Sequence, residues 1–258
     1  MGAAELLYGR HAVEETLRAG RRKVFRVLMS DSLKPQRAGD PQGRFGTIET
    51  LAEAAGILIE KTPPARLDTI TRVGHHHQGV AAEVSPFEYG TLSDLSGFCL
   101  QAGQDALVLI LDSIQDPQNF GSLLRSAEAV GITAILMLDR RQVEVTPAVV
   151  NASAGAVEHL QVCLANNIAR AIGELQETGL WVYALQAEAG AALYTDADLR
   201  GPVGLVVGSE GQGVGRLVRE RCDGAIALPM RGRVESLNAA VAGSIVLYEA
   251  LRQRTKKA

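Results

Sequence analysis

Two hydrophobic patterns alternate along the first third of the chain and predict a small α/β unit. Residues 8–19 place Ala12, Val13 and Leu17 on one helical face. A short apolar run over 24–29 then has the length and composition of a strand. The other elements predicted here are a helix over 48–55 and strands over 56–62 and 79–84.

Beyond residue 105, short apolar runs alternate with helical patterns. The strand-like runs are 106–111, 134–138, 160–163, 181–185, 205–207 and 225–228. Strands that alternate with helices predict a mainly parallel sheet covered on both faces. The second region is therefore expected to be a larger α/β domain.

Glycine and proline residues separate the two regions. The interrupting residues are Pro86, Gly90, Gly97 and Gly103. The predicted organisation is a domain over 1–84, a linker over 85–104 and a second domain over 105–258. Deletion of residues 1–84 is accordingly expected to leave a folded second domain.

The composition indicates a globular protein. Hydrophobic residues make up 47% of the 258 residues, enough for two packed cores. No apolar run reaches the roughly 18 residues of a membrane span, and the N-terminus lacks the basic and apolar regions of a signal peptide. Cys99, Cys163 and Cys222 contain no CxxC pair, which argues against disulfides and zinc. We expect a cytoplasmic protein with buried thiols.

The net charge of −3 hides a basic excess at both ends of the chain. Residues 1–84 hold 12 Lys and Arg against 10 Asp and Glu, and residues 204–258 hold 9 against 5. The densest basic run contains Arg18, Arg21 and Arg22. A solvated face and a phosphate-contacting patch both explain such a run.

Three consecutive histidines, His75, His76 and His77, do not predict a metal site. Consecutive residues of a strand point to opposite faces, and no carboxylate or thiol lies at ligand spacing. A polar loop leading into a strand explains them, and an RNA contact is the alternative. No metal is predicted.

The stretch 204–243 carries the candidate chemistry. A strand-like run ends at Gly208, a glycine-rich turn surrounds Glu210, and Ser-Leu-Asn precedes a long apolar helix. Ligands of open α/β sheets bind beyond the carboxyl ends of the strands. The GQGVG segment resembles part of a dinucleotide loop of an oxidoreductase, but Glu210 lies where a pyrophosphate needs amide donors. A plain strand-to-helix turn is another alternative.

Three segments in order resemble a known family. DPQNFGSLLRSAEAVG, GSEGQG and LPMRGRVESLNAA are similar to the motifs of the SPOUT superfamily of methyltransferases, specifically its TrmH (SpoU) family. The resemblance covers nearly the whole chain. It implies methylation of a ribose 2′-hydroxyl in RNA with S-adenosylmethionine. The implied fold is a SPOUT α/β domain with a trefoil knot, preceded by a ribosomal-protein-like RNA-binding domain, in a homodimer formed through the C-terminal domain.

The resemblance also implies roles for individual residues. Catalytic roles fall to Asn119, Arg125, Glu210, Ser236 and Asn238. Cofactor binding falls to Gly208, Leu228, Met230, Gly232, Ser236, Leu237 and Asn238. The predicted RNA contacts are Arg10, Arg18, Arg21, Arg22 and His77, the last in a segment that matches the family's HQG.

Ordinary structural roles compete with some of these assignments. Asn119 and Ser236 would serve as helix caps. Arg125 would pair with Glu128 on an exposed helix face, at a gain of only about 0.2–0.5 kcal/mol. If Arg125 is functional, we expect it to grip a phosphate of the RNA, because a guanidinium with a pKa above roughly 12 is a poor proton acceptor. In a homodimer, this arginine could serve the partner's site.

The function predicted from the layout is methylation of a guanosine in 23S rRNA. A tRNA substrate is the alternative within the same reaction class. A non-catalytic RNA-binding or ribosome-assembly factor on the same fold is the alternative outside it, and the presence of all five catalytic residues argues against that alternative.

Overall fold

The computed structural model describes residues 3–32, 45–72, 74–140, 142–186, 191–234 and 236–255. The chain divides into two compact units. Unit 1 comprises Met1–Glu88 and Val145–His159, and unit 2 comprises Tyr89–Glu144 and Leu160–Ala258. The predicted domain bounds at 84 and 105 stay a prediction; in the compact units, residues 89–104 belong to unit 2 and Val145–His159 belongs to unit 1. Within the described part of the chain, no helix is long and apolar enough to cross a membrane.

Unit 1 is built on a four-stranded sheet of order β1-β4-β2-β3, in which only β2 and β3 are parallel. The strands are β1 (Glu5–Tyr8), β2 (Val24–Ser30), β3 (Leu58–Thr62) and β4 (Val80–Val84). The first helices are α1 (Arg10–Ala19), α2 (Gly46–Ala54) and α3 (Pro64–Thr71). The sequence pattern missed β1, because four residues are too few to show a periodicity. It also missed α3, which begins at Pro64, a residue type that favours the first turn of a helix.

Unit 2 contains an eight-stranded sheet of order β10-β12-β9-β11-β6-β7-β8-β5. All of its strand pairs are parallel, which confirms the mainly parallel α/β fold. The strands are β5 (Gly90–Thr91), β6 (Leu107–Asp112), β7 (Ala134–Leu138), β8 (Val162–Ala165), β9 (Trp181–Leu185), β10 (Ala192–Leu193), β11 (Val203–Gly208) and β12 (Gly224–Ala227). The trefoil knot stays a prediction.

Six further helices lie in the described part of the chain. They are α4 (Leu92–Ala102), α5 (Pro117–Ala129), α6 (Pro147–Ala152), α7 (Ile168–Gln176), α8 (Arg216–Arg219) and α9 (Ala239–Thr255). Strands β6 and β11 lie side by side near the middle of the sheet and are buried along their whole length. Helix α9 packs on α5 and β11, so the last helix of the chain covers the centre of the sheet.

The segment Val145–His159 leaves unit 2 in sequence but packs within unit 1. The Asn151 amide (Nδ2) donates to the Tyr8 carbonyl at 3.1 Å, and Glu158 lies 3.4 Å from the Arg22 guanidinium. Gly155, at φ +85°, approaches helix α1 so closely that an added Cβ would lie 2.9 Å from the His11 carbonyl oxygen. Unit 1 therefore contains residues that precede β6 and residues that follow β7 in the sequence.

Removal of residues 1–88 is expected to destabilise the remaining chain, contrary to the expectation from the sequence. Val149, Val150 and Val157 are completely buried in unit 1, and burial of one such side chain is worth about 1.5–3 kcal/mol. Thermal melting and binding of a hydrophobic dye measure the effect. A second truncation that also replaces Val145–His159 by a short Gly-Ser linker should melt cooperatively again. Unchanged melting without dye binding in the first truncation would contradict this account.

Candidate active site

The carboxyl ends of β6 and β11 meet at one edge of the unit 2 sheet. Their register pairs Asp112 with Gly208 at the last position of both strands. The turn that follows folds back on itself, because Ser209 and Gly213 exchange backbone hydrogen bonds of 3.2 and 2.9 Å. A Cβ on Gly208 would lie 2.0 Å from the Gly213 carbonyl carbon. Glycine is thus required where the turn crosses its own strand.

Asp112 fixes the end of this turn. Its Oδ2 accepts from the Gly215 backbone N–H at 2.7 Å, and its Oδ1 accepts from the Ser113 hydroxyl at 3.2 Å. The Asp112 side chain is buried, so a loss of these bonds would leave a carboxylate without compensation. The two ends of the glycine-rich turn are therefore held by the two central strands.

One residue from each of the three motifs joins a common hydrogen-bonded group. The Asn119 amide (Nδ2) donates to Oε1 of Glu210. The Asn238 amide (Nδ2) donates to Oδ1 of Asn119 at 2.8 Å. We call these three residues the amide–carboxylate group.

The helix caps differ from those expected. Asp116 accepts from the Asn119 backbone N–H at 2.7 Å and caps α5, which leaves the Asn119 side chain for the amide–carboxylate group. At α9, Oδ1 of Asn238 accepts from the backbone N–H of Ala240 at 2.9 Å. The alternative capping roles of Asn119 and Ser236 are therefore not observed among the described residues, and Asp116 and Asn238 fill them.

A cavity of about 510 Å³ opens beside the amide–carboxylate group. Glu210 lines it together with predicted cofactor-binding residues. These are Gly208, Leu228, Met230, Ser236, Leu237 and Asn238. Gly232, the remaining predicted cofactor residue, is not among the residues that line it. The walls of the cavity combine apolar side chains with the open backbone of the glycine-rich turn. This combination fits a ligand with a flat base and polar groups.

Sequence reasoning missed several residues of this cavity. They are Leu185, Gln186, Gln212, Arg219, Ile226 and Ala242. Leu185 is the last residue of β9 and Gln186 follows it, and β9 is the neighbour of β11 in the sheet. Because the carboxyl ends of parallel strands share one edge, the strand pattern contained this signal once the strand order was known.

Arg125 is exposed on α5 and lies outside both the cavity lining and the amide–carboxylate group. Within the described ranges its guanidinium has no ion-pair partner, so the alternative pairing with Glu128 is not observed. An unpaired guanidinium remains available for a phosphate or for a second subunit.

The predicted RNA contacts of unit 1 fall into two groups. Arg22 is buried, with its guanidinium 2.6 Å from Glu5 and 5.6 Å from the Phe87 ring centre. His77 is also buried, and its Nε2 lies 3.0 Å from Asp68. Their burial argues against RNA contact by these two side chains, and the contact stays a prediction.

The other predicted contacts remain at the surface. Arg18 is exposed and pairs with Glu14 at 2.7 Å, and Arg21 is also exposed. Arg10 is half-buried, and its Nη2 lies 3.3 Å from His11. For these three arginines RNA contact stays a prediction. Within the described ranges, no group of three His, Cys, Asp or Glu residues is placed to hold a metal ion.

Two thiols of unit 2 are expected to resist alkylation. Burial raises the pKa of the Cys99 thiol to about 11. Burial, and then the charges of Asp223 and Asp112, raise the pKa of Cys222 to about 12. The native state therefore favours the protonated thiols. Its free energy of unfolding decreases as pH rises from about 8.5, the pKa of a thiol in the unfolded chain, to the raised pKa values of the native state.

Iodoacetamide at pH 8, followed by mass spectrometry, tests this expectation. Cys99 and Cys222 should react more than about 100-fold faster in urea than in buffer, because only the thiolate is nucleophilic. Equal rates in urea and in buffer would show that the two thiols are not shielded.

Comparison with known proteins gives consistent matches over both units. The sequence model of the SpoU rRNA Methylase family matches residues 106–248, and the model for RNA 2′-O ribose methyltransferase substrate binding matches residues 6–90. A putative TrmH family tRNA/rRNA methyltransferase of Bacillus subtilis is 40% identical over 250 residues, covering 97% of this chain and 96% of that protein.

Two further relatives extend the comparison. The 23S rRNA (guanosine-2′-O-)-methyltransferase RlmB of Xanthomonas campestris is 43% identical over 217 residues, covering 84% of this chain and 86% of that protein. The crystal structure of the SpoU methyltransferase AviRb of Streptomyces viridochromogenes, in complex with the cofactor AdoMet, aligns with a TM-score of 0.79 at 23% identity. It covers 98% of this chain and 92% of that chain, and at this identity it shows a shared fold.

Proposed function

Because the chain belongs to the SpoU rRNA methylase family and is an S-adenosylmethionine-dependent RNA 2′-O-ribose methyltransferase, we propose that its target is a guanosine of 23S rRNA. The 43% identity to the Xanthomonas campestris protein named for that activity supports the substrate. An RNA substrate in turn favours the cytoplasm as the place of action.

The amide–carboxylate group is the observation that carries the catalytic proposal. Asn119, Glu210 and Asn238 come from three separate stretches of the chain, yet they are joined by hydrogen bonds beside one cavity. Side chains held in this way lose little freedom when a substrate binds. Such a group suits a reaction that depends on alignment.

The cavity fits the cofactor of this family. S-adenosylmethionine, when bound, supplies a methyl carbon made electrophilic by the neighbouring positive sulfur. Leu228 and Leu237 offer apolar walls for a purine base, and the glycine-rich turn brings backbone amides and carbonyls close. Ser236 adds a hydroxyl to the lining.

Glu210 is positioned to orient the attacking hydroxyl. Its Oε1 accepts from Asn119, and within the described ranges its Oε2 has no donor. We assign Oε2 to the hydrogen bond from the ribose 2′-hydroxyl. A carboxylate that accepts this proton increases the nucleophilicity of the oxygen, and Asn119 keeps the carboxylate from rotating away.

Glu210→Gln is expected to lower kcat by about 100-fold or more while cofactor affinity changes little, because the variant removes the proton acceptor but keeps the shape. Titration calorimetry and single-turnover methyl transfer separate the two quantities. Glu177→Gln, the same chemical change at an exposed glutamate outside the cavity lining, is the matched control. An unchanged kcat for Glu210→Gln would remove Glu210 from the mechanism.

A homodimer is part of the proposal. Val241, Ile245 and Tyr248 lie at helical spacing on α9 and are 48%, 37% and 51% exposed, so one face of this helix is apolar and uncovered within the described chain. A second copy of the chain would cover that face. The unpaired Arg125 on α5, the helix on which α9 packs, would then stand close to a subunit interface.

Transfer of labelled methyl groups to unmodified rRNA and tRNA, with mapping of alkali-resistant positions, tests the function. Label at one guanosine ribose of 23S rRNA is the expected result. Label confined to tRNA would move the substrate and keep the reaction. No label in naked RNA or in ribosomal precursor particles, with cofactor binding intact, would favour the non-catalytic factor.

A further inference from the structure

Two arginines lie in the loop between β12 and α9, next to the cavity. Arg231 follows Met230, and Arg233 precedes Ser236 by three residues; Met230 and Ser236 both line the cavity. Arg231 and Arg233 are exposed. Their charges therefore stand at the rim of the cavity rather than inside it.

Neither arginine has an ion pair or a side-chain hydrogen bond to any residue that the structure describes. Most other exposed arginines of unit 2 are paired locally. The pairs are Arg170 with Glu174 at 3.0 Å, Arg200 with Asp198 at 2.7 Å, Arg216 with Glu220 at 2.8 Å and Arg252 with Glu249 at 2.6 Å. A paired guanidinium presents little net field, whereas an unpaired one keeps its attraction for anions. Among the residues that the structure describes, no carboxylate pairs with the two loop arginines next to the cavity.

The loop leaves both side chains open to a large ligand. Gly232 has no atom within 4 Å of the position of an added Cβ, and Val234 is 68% exposed. The Cα atoms of Arg231 and Arg233, two residues apart, are separated by at most about 7 Å, so both can face one strand of a polyanion. Guanidinium groups match phosphate oxygens with paired hydrogen bonds.

We propose that Arg231 and Arg233 bind backbone phosphates of the RNA strand that carries the target ribose. Unit 2 then holds RNA through its own surface, in addition to any contacts made by unit 1. This inference rests on the proposed RNA substrate and names where that strand lies on unit 2. Contacts of this kind carry no base specificity, so they fix the register of the strand while other residues select the nucleotide.

Salt dependence of RNA binding tests the proposal. The double variant Arg231→Gln and Arg233→Gln is compared with the full-length chain on an unmodified 23S rRNA transcript, between 50 and 300 mM KCl. Loss of two phosphate contacts should reduce the slope of log K against log salt by about 1.4 and weaken binding by about 25-fold near 0.1 M salt. Affinity for S-adenosylmethionine should remain unchanged.

The control is the double variant Arg170→Gln and Arg200→Gln. It makes the same change in net charge on unit 2, but at arginines that are already paired. Its slope should equal that of the unaltered chain. Equal slopes for the two double variants would overturn the proposal, as would a change in the monomer–dimer equilibrium of the loop variant with RNA binding intact.

Methyl transfer is scored separately, so that the two proposals fail in different ways. A changed slope without methyl transfer to any RNA would keep the phosphate-binding loop and reject the proposed reaction. Methyl transfer with an unchanged slope would keep the proposed reaction and reject the phosphate-binding role of Arg231 and Arg233.

Discussion

Gly208→Ala is expected to lower the affinity for S-adenosylmethionine by at least about 100-fold, equal to about 2.8 kcal/mol. The new Cβ would lie 2.0 Å from the Gly213 carbonyl carbon and 2.3 Å from the Val214 nitrogen, and both are backbone atoms that cannot rotate away. The glycine-rich turn must therefore move, and with it the wall of the cavity. Titration calorimetry on the purified variant gives the affinity directly.

Gly97→Ala on α4 is the matched control for this experiment. An added Cβ at Gly97 meets no atom within 4 Å, so cofactor affinity should stay within about twofold of the unaltered chain. Circular dichroism of both variants shows whether each is folded. A folded Gly208→Ala variant with full affinity would show that the cofactor does not use this turn.

Arg125→Ala is expected to reduce methyl transfer by about 100-fold, because losing its grip on a phosphate would let the ribose hydroxyl move out of alignment with the methyl carbon. Cofactor affinity should be preserved, because Arg125 does not line the cavity. Single-turnover transfer to the mapped RNA measures the first quantity and calorimetry the second. Arg170→Ala, another exposed helical arginine, provides the control for lost charge. A loss of cofactor binding in Arg125→Ala would show that Arg125 contributes to the cofactor site, which contradicts its assignment to RNA.

Mixing the two inactive variants shows which subunit uses Arg125. If the arginine serves the partner's cavity, a mixed dimer of Arg125→Ala and Gly208→Ala contains one complete site. Random exchange of subunits should then restore about a quarter of the activity, since half of the dimers are mixed and each has one working site. No recovery after verified exchange would assign Arg125 to its own subunit.

The parallel sheet and the sheet edge at which the cavity opens followed from the sequence, because both depend on local patterns. The apolar runs of β6 and β11 are buried on both faces and are recognisable without knowledge of their neighbours. The glycine-rich turn at the end of β11 pointed to the edge where the cavity lies. The pairing of Asn119 with Glu210 did not follow from local pattern, since a contact between residues so far apart depends on the order of the strands.

The local sequence pattern could not predict which charged residues are buried. Arg22 lies in a basic run that looks exposed, yet Glu5 and Glu158 compensate its charge from distant positions. The segment Val145–His159 belongs to unit 1 for the same reason, since its partners lie in the first 88 residues. Such assignments need the pairing of remote residues, and a single sequence carries no record of it.

Because Val145–His159 belongs to unit 1, it also determines when unit 1 can finish folding during translation. Unit 1 cannot close its core when residue 88 has been made, because residues 89–144 are synthesised before the missing segment appears. At about 5–20 residues per second this gap lasts about 3 to 11 seconds, and N-terminal units usually fold first. In that interval the Arg22 charge has Glu5 as a possible partner but lacks Glu158. The nascent chain must therefore stay soluble with an unfinished first unit until the ribosome has passed His159.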